Sequence, residues 1–162
     1  MDEIIDAIIT QLRTDMGASY TYVYGNYVQP PQSKLPMICV YPIATTRDIL
    51  GTGGSNKAYM VIEVKVWLDL KDYIDQSTES GVIQHVKATV QVMERRDPLT
   101  SSPVVSSVLG SLEYFSFNNH IVDQMMPLEV SYTEIAQLTE GSYLVPVVIR
   151  LTMTQLLPRC PT

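Results

Sequence analysis

One stretch constrains this chain more than any other. Residues Ala58 to Leu70 read AYMVIEVKVWLDL and alternate without a break. Met60, Ile62, Val64, Val66, Leu68 and Leu70 fall on one side. Tyr59, Val61, Glu63, Lys65, Trp67 and Asp69 fall on the other. Side chains of a strand point to opposite faces in turn, so the spacing predicts a long strand with one wholly apolar face. Such a face needs a partner strand and a layer of helix to cover it.

Both are present in the sequence. Near the end of the chain, Val145, Val147, Ile149, Leu151 and Met153 alternate with Arg150, Thr152 and Thr154. Pro146 puts the start of this second long strand at an edge or a bulge. The two long strands are the natural pair of one sheet. Asp2 to Met16 supplies the first helix, with Ile5, Ile8, Ile9, Leu12 and Met16 at helical spacing and Ile4 widening the stripe. Asp2 suits the cap, and Gly17 stops the helix. A second helix is expected from Ser77 to Arg95, on Val82, Ile83, Val86, Val90 and Met93. A short third is expected between Asp97 and Gly110, with Ser102 as cap, Pro103 first and Gly110 just past the end.

Between these lie shorter signals. Tyr20, Tyr22 and Tyr24 share one side of a strand or loose hairpin that turns at Gly25-Asn26. Val28 to Pro36 carries three prolines and reads as loop. Met37 to Pro42 is apolar on both faces, as a central strand is, and Pro36 and Pro42 bracket it. Ala44 to Lys57 reads as a flexible loop around Gly51, Gly53 and Gly54. Leu112 to Asn118 and Leu128 to Tyr132 read as further strands, with Met125 and Met126 beside Pro127 between them. Glu140-Gly141 turns into the last strand, and residues 157–162 read as a tail. The whole, 1–162, is one α+β domain: a mostly antiparallel sheet with two main amphipathic helices packed on one face.

Charge and chemistry narrow the function classes. The formal charge is -6, which disfavours a grip on a phosphate backbone. Charged residues are 17 %, below the usual ~25 %, so part of the surface is expected to be covered by something other than water. Ten tyrosines against two Phe and one Trp either decorate the wet faces of strands or line interfaces. Cys39, in an apolar run, reads as a buried thiol, and Cys160 lies far from it, so no disulfide framework is implied. The acidic opening is unlike a secretory signal, and no apolar run is long enough to span a membrane. His85 and His120 stand apart, and no HExxH, CxxC or GxSxG pattern occurs. Asp69, Asp72 and Asp75 crowd a strand-to-helix junction, which a solvated junction explains better than a cation site. Gly51 to Lys57 lacks the helix that a phosphate cradle needs. No catalytic residue, cofactor or metal is therefore expected.

The order of elements resembles a known family. An acidic amphipathic helix precedes a P-x-x-x-V-Y-P strand, Pro36 to Pro42. A Gly-rich loop leads to the alternating strand, which closes on W-L-D at Trp67 to Asp69. A helix follows, then a strand, an E-G turn and a long strand, Ser131 to Met153. This is similar to the tail terminator, or tail-completion, proteins of long-tailed bacteriophages. The resemblance implies a structural virion protein of the tail and neck, assembled in the host cytoplasm. It would form a homo-oligomeric ring, a hexamer, that caps the tail tube protein and joins it to the head-side connector. DNA would be passing cargo, with no membrane partner. Another head-tail connector of the same particle and a small acidic ligand-binding or enzymatic domain are the alternatives. Exposed apolarity nominates Ile49, Leu50, Met125 and Met126 as assembly contacts. Tyr59 and Trp67 join them from the mixed face of the long strand, and Trp67 is expected to lose exposure on assembly.

Overall fold

The computed structural model describes residues 2–27, 30–48, 56–69, 90–113, 122–132, 136–138 and 142–157. Helix α1 (Asp2–Met16) forms where the spacing predicts it. Ile5, Ile8 and Leu12 are fully buried, with Ile4 beside them. Burying a side chain of that size contributes about 1.5–3 kcal/mol, so this stripe is what holds the helix on the sheet. Gly17 ends it with φ +86° and an N–H that donates to the Arg13 carbonyl at 3.1 Å. That is a left-handed C-terminal cap, which a side chain would strain.

The tyrosine segment makes strand β1 (Thr21–Tyr24), which pairs in parallel with β2 (Met37–Asp48). It is therefore not a hairpin. The Tyr22 hydroxyl explains the placement: it reaches back to donate to the carbonyls of Leu12 at 3.2 Å and Gly17 at 2.7 Å. The Gly17 carbonyl lies just past the helix end, where no helical N–H follows, and Tyr22 supplies its partner.

Met37 to Val40 are fully buried, as a central strand requires. Contrary to expectation, β2 does not stop at Pro42. Its register shifts between Pro42 and Ala44, leaving Ile43 as the extra residue of a bulge, and the strand continues to Asp48. The bulge lets a proline sit within the strand. The expected loop 44–57 thus shrinks, and only 49–55 of it falls outside the described residues.

Four strands follow: β3 (Asn56–Asp69), β4 (Val122–Tyr132), β5 (Ala136–Leu138) and β6 (Ser142–Leu157). The sheet order is β1-β2-β3-β6-β4, with β5 also on β6, and every pair except β1-β2 is antiparallel. Met60, Ile62, Val64, Val66 and Leu68 stand opposite Met153, Leu151, Ile149, Val147 and Val145. The two alternating patterns meet residue for residue on one face. Strand β4 starts earlier than predicted and contains Met125, Met126 and Pro127. Irregularities at Val122/Gln124 and Pro127/Glu129 accommodate them, and Leu128 falls out of the ladder while Val130 and Tyr132 stay opposite Ile149 and Val147.

Of the second predicted helix, residues 90–94 are helical and 77–89 lie outside the described residues. Met93 is buried, whereas Val90 is exposed. The third helix is displaced. Residues 95–104 form a tight turn, and α2 (Val108–Glu113) begins after Ser107. The Ser107 hydroxyl accepts the Gly110 N–H at 3.1 Å, the bond of an N-cap. Gly110, expected to end a helix, lies inside this one, and Leu112, expected in a strand, is buried in it. Residues 114–118 of that expected strand are outside the described residues. Helix α1, Met93 and α2 share a core with the even-numbered residues of β3, giving the α+β arrangement.

Candidate assembly surface

The face of the sheet opposite α1 carries Met37, Cys39 and Tyr41 on β2 and Glu63, Lys65 and Trp67 on β3. It was expected to be half open, with Trp67 waiting for a neighbour. The structure corrects this. Trp67 is 3 % exposed and packs with Met37 and Cys39 under Val23, Tyr27, Leu35 and Tyr41. The segment between β1 and β2 folds over this end of the face and supplies Tyr27 and Leu35. The Lys65 ammonium sits 4.6 Å from the indole centroid, a cation–π contact that covers the ring further. Trp67 is an internal residue, not a free contact. Its indole Nε1 is buried without a hydrogen-bond partner among the described residues. Cys39 is the buried free thiol anticipated from its apolar run; burial pushes the thiol pKa up, against smaller lowering effects from the Tyr27 backbone and Lys65.

The Tyr41 hydroxyl donates to the carboxylate of Glu63, a buried residue. Glu63 stands opposite Arg150 on β6, and Arg150 stands opposite Glu129 on β4. Tyr41, Glu63, Arg150 and Glu129 therefore stand at one level of the sheet, one on each of four neighbouring strands.

The remaining candidates gather at the other end. Tyr59 is opposite Thr46 and Thr154, Met125 is opposite Met153, and Met126 is opposite Thr152. These are three successive levels of the sheet. The Trp67 level, opposite Met37 and Pro146, is eight residues away along β3, or about 27 Å. Ile49 and Leu50 lie outside the described residues and directly follow Asp48 in the chain. Beyond the bulge, Ala44, Thr45 and Thr46 are exposed, and Ile43 is 47 % exposed. Sequence reasoning missed Ile43; a proline inside an apolar run was the available signal. It also missed Leu99, which is 92 % exposed at the tip of the 95–104 turn.

Among the described residues, no three His, Cys, Asp or Glu side chains gather as a metal site requires. Nor does any described helix have the length and apolarity to cross a membrane. His85, His120, Asp72, Asp75 and Cys160 lie outside the described residues. No protein-family model matches the chain, and no curated protein matches it significantly.

Proposed function

We propose that this chain is a ring-forming structural protein of a bacteriophage tail, which caps the tail tube and joins it to the head-side connector. One observation carries the reading. The long strands are more than twice the length of helix α1. Helix α1, at 15 residues, is about 22 Å long, whereas β3, at 14 residues, runs about 46 Å and β6, at 16, about 53 Å. The far end, from Ala44 to Asp48 with its partners on β3 and β6, bears Tyr59, Met125 and Met126 at neighbouring levels; Met60 on its inner face is buried, whereas Ala44, Thr45 and Thr46 at its margin are exposed. A sheet end of this kind suits contact with a neighbour; a catalytic pocket does not need it. The order of elements that resembles tail terminators also supports the reading.

Function then resides in repeated contact between identical copies. Head-to-tail packing uses two different patches on each subunit and closes into a ring when the rotation allows. The test is sedimentation and light scattering across concentration, followed by electron microscopy with growing tail tubes. The expected result is a closed ring that seats on the tube end and halts growth. A ring that leaves tubes growing would assign the chain to another level of the neck. A protein monomeric at every concentration would defeat the reading.

A further inference from the structure

We draw no further inference here: the strongest candidate, the outer edge of β2 from Ala44 to Asp48, where the strand runs on past β1 with no neighbouring strand among the described residues, carries nothing because nothing in the structure shows what covers it.

Discussion

A Cβ placed on Gly110 would lie 2.1 Å from the carbonyl oxygen of Val104. The glycine sits in the middle of α2 because the backbone entering the helix passes directly over it. Alanine would favour the helix by about 1 kcal/mol. Overpacking a tight contact costs about 1–3 kcal/mol, and here the obstacle is main chain, which cannot rotate away. Gly110→Ala is therefore expected to destabilise the protein, lowering Tm by roughly 2–8 °C in thermal unfolding. An unchanged or raised Tm would mean that α2 shifts freely.

Tyr22→Phe removes the hydroxyl that serves the Leu12 and Gly17 carbonyls. The expected cost is about 1–2 kcal/mol, measured by denaturant unfolding. Burial raises the phenol pKa above its ordinary value of 10.0, partly offset by Arg13 at 5.4 Å from the ring. A group whose pKa is raised by folding contributes stability fully present below the unfolded value and lost as pH rises through the folded one. Tyr22 thus adds an alkaline loss of stability above about pH 10 that the Phe variant lacks.

Trp67 is the one tryptophan, so its fluorescence reports a single site. Emission should be blue-shifted and poorly quenched by iodide, and assembly should leave both unchanged. Trp67→Ala should cost about 3–5 kcal/mol. Trp67→Phe should cost clearly less, because it keeps an aromatic ring in the site while both changes remove the same unpartnered indole N–H. Equal losses for the two would show that a phenyl ring does not fill the site.

Acid should loosen the 95–104 turn before it unfolds the core. The N–H groups of Leu99 and then Thr100 hold the Asp97 pKa below the usual 3.8. A lowered carboxylate pKa contributes stability above the unfolded value, and that contribution is lost as pH falls through the folded one. Amide exchange at Leu99 and Thr100 should therefore rise relative to β3 only below about pH 4. Asp97→Ala should show the same exchange at neutral pH, with Tm little changed.

The period-two pairing of β3 with β6 was legible because burial on one face is written directly into alternation. Helix α1 was legible for the same reason at period 3.6. What the sequence hid was relational. Pro42 looked terminal because a bulge at Ile43 cannot be read from composition. Tyr59, Met125 and Met126 were chosen separately for their chemistry, and only the register shows that they share one end of the sheet. Trp67 was misplaced because its cover comes from Leu35, in the proline-rich stretch that reads as plain loop, and from Tyr27, just past the Gly25-Asn26 turn signal. The helix foretold at Ser102 lost to Asp97, whose carboxylate closes a turn and so competes with helical bonding.

The route of the chain around β1 has a mechanical consequence. Residues before β1 cover one face of β2, through α1, and residues after it cover the other, through Tyr27 and Leu35. The opening segment therefore works as a clasp closed over one margin of the sheet. Opening it would bare both layers together, so the two cores have no means of melting apart. The amides of Ile38 and Val40 should then exchange only when the entire molecule does.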